Sequence, residues 1–357
     1  MKDKIKAAVA QFVPVHMNKQ ATLEKLADLV LEAGRNGAEI LVTGETSIPT
    51  YPYWRNRFTY SDPDPEITAA WRSVVIEYYD QSVRIPDDLD GLCRAAKKAG
   101  VYCVIGVSEQ DDQPGSMTLY NTQVLIGPDG SIVGRHRKLM PTHEERVVWG
   151  AGDGSDLAVW DTSLGCIGAL VCYENHMLLP KAALAFMGEE IHCCCWPGWL
   201  GAVSEKGFSE STNLSNSDID SCLREYAFST QNFVLSASNY APLDAVPDSF
   251  PFKKYGNWGW AIGGSAIVSP SGSYLAGPVF NEETILYAEL DRSERIRAKI
   301  RIDSVGHYSR ADLMTLLVDR SHDRGLTQKF GGSLPDEVRA LEDVDRVSKA
   351  ALVARGE

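Results

Sequence analysis

The chain has 357 residues, 44% of them hydrophobic and 9% aromatic, a composition that supports a large folded core. Its 35 basic and 48 acidic residues leave a net charge of −13, with no run of Lys and Arg to form a nucleic-acid footprint. No segment approaches the roughly 18 apolar residues that span a bilayer, and the N-terminal Met1-Lys-Asp-Lys-Ile-Lys6 lacks a signal-peptide apolar core, so a cytosolic protein without a membrane partner is expected.

In chain order, residues 4–13 read as a buried strand. Residues 19–35 read as a helix, with Leu23, Leu26, Ala27 and Val30 on one face and Asn36-Gly37 as the breaker. Residues 38–43 form a second strand, and 50–65 an aromatic, proline-rich loop. Helices are predicted at about 66–79 and 89–99, then a strand at 101–107. The turn Gly127-Pro-Asp-Gly130 joins strands at 118–126 and 131–135. Strands at 157–162 and 166–171 precede a helix at about 178–187 and a strand at 191–196. A helix at 213–231 and a strand at 233–238 follow. A second hairpin pairs 264–268 with 272–276 across Pro270-Ser-Gly272. A strand at 284–290 and a helix near 292–299 complete the series. Mixed βα units and hairpins point to an α/β chain with a central sheet system covered by helices, in one domain.

Eight cysteines, at 93, 103, 166, 172, 193, 194, 195 and 222, do not form a disulfide scaffold in so long a chain. The run Cys193-Cys-Cys195 is not read as a metal site. Consecutive strand residues point to opposite faces, and no Cys-x2-Cys pair occurs. The three are expected to be small apolar residues of a buried strand.

Three strand ends carry chemically capable side chains. Cys172 closes the apolar run Cys166-Ile-Gly-Ala-Leu-Val-Cys172, where open α/β sheets place their chemistry. Alone, such a thiol is more often a buried small hydrophobe. Glu45 ends a second apolar strand, and a buried carboxylate is costly unless paired or protonated. Lys138 leads into the loop Leu139-Met-Pro-Thr-His-Glu-Glu145. Taken together they suggest nucleophilic catalysis on a carbon bound to nitrogen.

Further segments extend the pattern. They are Tyr51-Pro-Tyr-Trp54 after Glu45, and Pro141-Thr-His-Glu-Glu145-Arg-Val-Val-Trp149-Gly150 after Lys138. Cys172-Tyr-Glu-Asn175, Cys195-Trp-Pro197 and Asp303-Ser-Val-Gly-His-Tyr-Ser309 complete it. In these motifs and their order the chain resembles the nitrilase family of the carbon–nitrogen hydrolase superfamily, over about its first 310 residues. The Pro-Thr-x-x-Glu-Arg-x-x-Trp-Gly stretch and Val-Gly-His-Tyr favour the nitrilase branch. The sequence departs at Tyr173, where many relatives carry Trp, and at Thr46-Ser47, where bulkier residues are common.

The resemblance implies an αββα four-layer sandwich of two packed sheets covered by helices, over residues 1–318. It implies a nitrilase that takes a nitrile and water to a carboxylic acid and ammonia. Cys172 would be the nucleophile, Glu45 the general base and acid, and Lys138 the cation that lowers the thiol pKa and stabilises the tetrahedral intermediate. Glu145 is a fourth candidate, with Glu144 as its rival and a salt bridge to Arg137 or Arg146 as its plain alternative. Tyr51, Trp54, Tyr173 and Trp196, with Tyr53 and Trp199, are candidate pocket residues, although ordinary packing accounts for any single one. His143 and His176 lie near the motifs, but no third residue orients either, so both are expected to be structural. No metal or organic cofactor is implied. An amidase, or a hydratase acting on cyanide or nitriles, would use the same triad, and a silent filament protein is the reading from another class. The tail from residue 319 to 357 is charged and carries a possible amphipathic helix with Val338, Leu341, Val344 and Val347. It is either solvated or an assembly element, since relatives form homodimers and spiral filaments.

Overall fold

Strand β1 (Lys4–Gln11) alternates between two cores: Ile5, Ala7 and Val9 enter one, while Ala8 and Ala10 enter another. That alternation follows from the two-residue period of a strand and makes β1 the middle of a layered structure. The computed structural model describes residues 1–198, 203–204, 207–208, 210–256 and 261–321, with the backbone alone for 203–204, 207–208 and 210–217.

The first sheet runs β16-β1-β2-β3-β4-β5, with β6 (Trp149–Gly150) on β4. Its members are β2 (Ile40–Val42), β3 (Tyr102–Gln110), β4 (Leu119–Ile126), β5 (Ile132–Arg137) and β16 (Thr284–Asp291). Strands β1, β2 and β3 are parallel, and β16 returns antiparallel to β1 from Lys4↔Asp291 to Gln11↔Thr284. The second sheet runs β13-β14-β12-β9-β8-β7, with β15 (Tyr274–Phe280) on β14. It contains β7 (Val159–Thr162), β8 (Gly165–Val171), β9 (Ile191–Trp196), β12 (Phe233–Ser238), β13 (Tyr240–Ala241) and β14 (Ala261–Val268). Strands β8, β9 and β12 are parallel. A separate two-stranded ribbon joins β10 (Val203–Ser204) to β11 (Gly207–Phe208).

Between the sheets lie Ile5, Val9, Val42 and Val104 from one side, and Ile191, Cys193, Phe233 and Leu235 from the other. Helices cover the outer faces. On the first sheet, α1 (Lys19–Arg35) is capped by Asn18, whose side chain accepts from the Ala21 N–H, and buries Leu23, Leu26, Val30 and Ala33. Helix α3 (Asp90–Ala99) lies beside it, burying Leu92, Ala95 and Ala96. On the second sheet, α4 (Leu178–Phe186) and α5 (Glu210–Thr230) contribute Leu184, Leu223 and Tyr226. Helix α2 (Pro65–Gln81) packs Val74 and Tyr78 into an aromatic cluster, and α6 (Arg292–Arg301) follows β16. This is the expected four-layer αββα arrangement. Among the described residues, no helix is long and apolar enough to cross a membrane.

The predicted strand at 101–107 stops short of β3, which continues through Ser108, Glu109 and Gln110. Those polar residues are buried because Glu109 is paired: Arg135 and Arg137 reach its Oε1 at 2.6 and 2.7 Å, and Thr122 Oγ1 donates to Oε2 at 2.7 Å. Cys193 faces the inter-sheet core, while Cys194 and Cys195 lie in the core beneath α4 and α5. All eight cysteines are free thiols. The tail beyond Ser321, with Val338, Leu341, Val344 and Val347, lies outside the described residues, as does Trp199.

Candidate active site

Both sheets end at one place. Glu45 follows β2, Lys138 follows β5, and Cys172 follows β8, each at the C-terminal end of its strand. Gly44 makes the join close. A Cβ there would lie 2.3 Å from Asn239 Oδ1, so only glycine lets Asn239 donate its Nδ2–H to the Glu45 carbonyl, at 2.6 Å. The Glu45 N–H in turn donates to the Trp196 carbonyl at 3.1 Å. Thr46 and Cys172 both hold left-handed backbone, at φ 40 and 55°. Non-glycine residues persist there only when their surroundings over-determine them, at about 1–3 kcal/mol each.

The four candidates converge. Lys138 Nζ donates to Glu45 Oε1 at 2.9 Å and to Glu145 Oε2 at 2.7 Å. One carboxylate oxygen from each Glu and the Cys172 Sγ lie within 4.8 Å of one another. An ammonium therefore already occupies the position between the two carboxylates that a cation would take. Glu45, Lys138 and Glu145 are at most 1% exposed and Cys172 is 4% exposed. Glu145 is fixed on every side: Tyr51 OH donates to Oε1 at 2.7 Å, and the Thr142 N–H donates to Oε2 at 2.8 Å. Arg55 Nη2 lies 3.4 Å from Oε1 and also donates to the Tyr51 hydroxyl. Glu144 is exposed, and Arg137 and Arg146 bond Glu109 and the Pro141 carbonyl, so neither is the partner of Glu145.

Electrostatics separate the two carboxylates. Burial pushes Glu45 up to about 7, with Lys138 and Asn121 opposing and Glu145 adding to the rise. Burial would raise Glu145 too, but Lys138 and Arg55 overcome it and hold this carboxyl below its usual range. Burial also acts on Lys138, downward, yet Glu45, Cys172 and Glu145 keep its ammonium well above the ordinary value. The thiol feels the same balance. Cys172 is pushed well up, first by burial and then by Glu45, and the charge of Lys138 does not reverse this. Lys138 still lowers the thiol pKa, but burial and the carboxylates outweigh it, which gives a base beside the sulfur its purpose.

Glu45 Oε1 accepts from Asn121 Nδ2 at 2.6 Å as well as from Lys138, while Oε2 has no hydrogen-bond partner among the described residues. That leaves one oxygen open for proton exchange. The Tyr173 N–H faces the Cys172 sulfur, a donor well placed for developing negative charge. No sequence motif marks Asn121, Arg55 or Asn239 as members of this site.

The pocket candidates divide. Trp54 is fully buried among Trp71, Tyr78 and Phe252, with ring centroids 5.9, 6.3 and 6.0 Å away. The Tyr51 hydroxyl is committed to Glu145. Tyr173 is half exposed beside Cys172 and meets Trp196 edge-on at 6.2 Å. His176 lies against Tyr173 and 3.3 Å from Asp218, and His143 is exposed, so among the described residues neither serves as the base of a Cys–His pair.

The sequence pattern of the carbon–nitrogen hydrolase family matches residues 6–300. A protein named nitrilase 2, from an unknown prokaryotic organism, is 36% identical over 316 residues, covering 88% of this chain and 92% of its own. A bifunctional nitrilase/nitrile hydratase of Nicotiana tabacum is 35% identical over 328 residues, covering 89% of this chain and 86% of its own. The crystal structure of a carbon–nitrogen hydrolase from Helicobacter pylori superposes with a TM-score of 0.64 at 22% identity, over 87% of this chain and 98% of that one.

Proposed function

The chain belongs to the carbon–nitrogen hydrolase family, and from that premise we propose that it is a nitrilase. It hydrolyses organic nitriles, whether aryl, arylaliphatic or aliphatic, to the carboxylic acid and ammonia. The observation that carries this is the buried Glu45–Lys138–Glu145 set around the Cys172 thiol.

The geometry supports the following steps. Glu45 takes the Cys172 proton as sulfur bonds to the nitrile carbon, and returns it to the nitrile nitrogen to give a thioimidate. Glu45 then deprotonates a water that adds to the same carbon. Lys138 and the Tyr173 N–H stabilise the charge that develops. That proton passes to nitrogen to give a tetrahedral intermediate with OH and NH2. The hydroxyl proton then follows to nitrogen through Glu45 as the carbonyl forms, and the C–N bond breaks to release ammonia and leave a thioester. A second water, again deprotonated at Glu45, releases the acid and the thiol. Glu145 holds Lys138 in place and stays ionised. Tyr173 and Trp196 border the substrate, while Tyr51 and Trp54 shape it from behind.

The second reading is a hydratase. If the tetrahedral intermediate expels the thiol instead of ammonia, the product is the amide, and the bifunctional Nicotiana tabacum relative favours keeping this branch. Product analysis tests the reading. Acid and ammonia in equal amounts are expected from a turned-over nitrile, and amide as the main product would replace it with the hydratase.

Acid limits the rate. Glu45 must be ionised to act as base, and its pKa is raised to about 7, so kcat/KM is expected to plateau above that pH. Below it, kcat/KM should fall about tenfold per pH unit. A flat profile from pH 5 to 8 would remove Glu45 from the role.

The 319–357 tail is proposed as an assembly element, and the subunits as homodimers that build larger oligomers or filaments. Support comes from α4, which exposes Leu178 by 73%, Leu179 by 66% and Phe186 by 54%. Light scattering that finds only monomers would contradict this. A cytosolic location fits the eight free thiols.

A further inference from the structure

On the nitrilase reading, we infer that Glu174 is a positioning residue that fixes Cys172 against Lys138. The two come from different sheets: β8 leads to Cys172 and β5 leads to Lys138. No ladder of backbone hydrogen bonds joins these strands, and the apolar packing between sheets is non-directional. Something directional has to set the distance between sulfur and ammonium.

Glu174 does this with both oxygens. Oε1 accepts from the Leu139 N–H at 2.6 Å, and Oε2 accepts from the Val171 N–H at 2.7 Å. Leu139 directly follows Lys138, and Val171 directly precedes Cys172. One buried carboxylate therefore grips the backbone beside each reacting residue. His136, on β5, adds a third grip, with Nε2 2.9 Å from Glu174 Oε2 and Nδ1 2.9 Å from the Asp156 carbonyl. Both ring nitrogens face acceptors, an arrangement that favours the doubly protonated imidazolium. Burial works against that charge, but Glu174 outweighs it and raises the His136 pKa.

The strained turn needs this support. Cys172 holds φ 55°, and Asn175 Nδ2 secures its carbonyl from the other side at 2.8 Å. Charge-assisted bonds to a carboxylate are about twice as strong as neutral ones, which suits a clamp.

Two substitutions test it. In Glu174→Gln one accepting oxygen becomes an amide that cannot accept from a backbone N–H. In Glu174→Asp the charge stays but the shorter arm cannot span both N–H groups. Each is expected to lower kcat about 100-fold, since a 1 Å misplacement costs about that much, and to leave KM within about threefold. The rate is expressed per folded protein, isolated by size exclusion and checked by its near-UV spectrum, so loss of folded protein does not count. Alkylation of Cys172 by iodoacetamide, which needs no substrate, is expected to slow by about tenfold or more. A kcat per folded protein at the wild-type value, with wild-type alkylation, would overturn the clamp and leave Glu174 a purely structural role. If wild-type protein turns over neither nitriles nor amides, the nitrilase reading fails, and the alkylation rates alone decide the positioning.

Discussion

Replacing Cys172 with Ala is expected to abolish turnover, lowering kcat by on the order of 10⁴-fold or more while the protein stays folded. The covalent route needs a sulfur at that one position, and no other thiol can take over. Cys195 lies one strand away, beside the register pair Val171↔Cys195, but it is fully buried and its pKa is pushed well above the ordinary thiol value, first by burial. Folding should survive because Ala is smaller than Cys, and the turn is held by the Asn175 and Glu174 contacts rather than by the sulfur. Steady-state ammonia release and thermal unfolding check the two halves. A Cys172→Ala enzyme with more than a few per cent of wild-type activity would sink covalent catalysis at this residue.

Lys138→Met is expected to fail twice. Activity is lost because the cation beside the reacting carbon is gone. Stability falls by about 3–5 kcal/mol, because two buried carboxylates remain with no cation between them. Lys138 reaches both at 2.9 and 2.7 Å, and Arg55 contacts Glu145 alone. The penalty has a pH signature. A buried carboxylate whose folded pKa is raised favours the folded state at low pH, and that contribution is lost as pH rises through the folded value. Glu45 is already raised to about 7, and losing Lys138 removes the largest force opposing the rise. The variant should therefore be weakest above pH 7 and recover below it. Urea unfolding at pH 5.5 and pH 8 measures this. Wild-type stability at pH 8 would contradict the buried ion triad.

The sequence made the strand ends visible but not what surrounds them. Glu45 and Cys172 stand out because each ends an apolar run, and Lys138 because it leads into the Pro141-containing loop. Asn121 is 76 residues from Glu45, and Tyr51 is 94 from Glu145, so neither contact has a local signature. Regular helices were legible from their periodicity, as α1 was from Leu23, Leu26 and Val30. Polar strand ends were not: Ser108-Glu109-Gln110 reads as loop until Arg135 and Arg137 are known to neutralise Glu109. The return of β16 to β1, across 285 positions between Lys4 and Glu289, lies beyond any local pattern. The thiol's raised pKa is likewise invisible in local sequence. Lys138 alone suggests a thiolate, and burial of the thiol, with the two carboxylates beside it, outweighs that effect.

The most direct measurement is ammonia release from a panel of aliphatic, aryl and arylacetonitriles, each beside its matched amide, with the Cys172→Ala protein as control. Ammonia from nitriles, absent from the amides and from the control, is the result predicted by a nitrilase built on Glu45, Lys138, Glu145 and Cys172. Ammonia from the amides alone, or from nitriles with the control equally active, would contradict it.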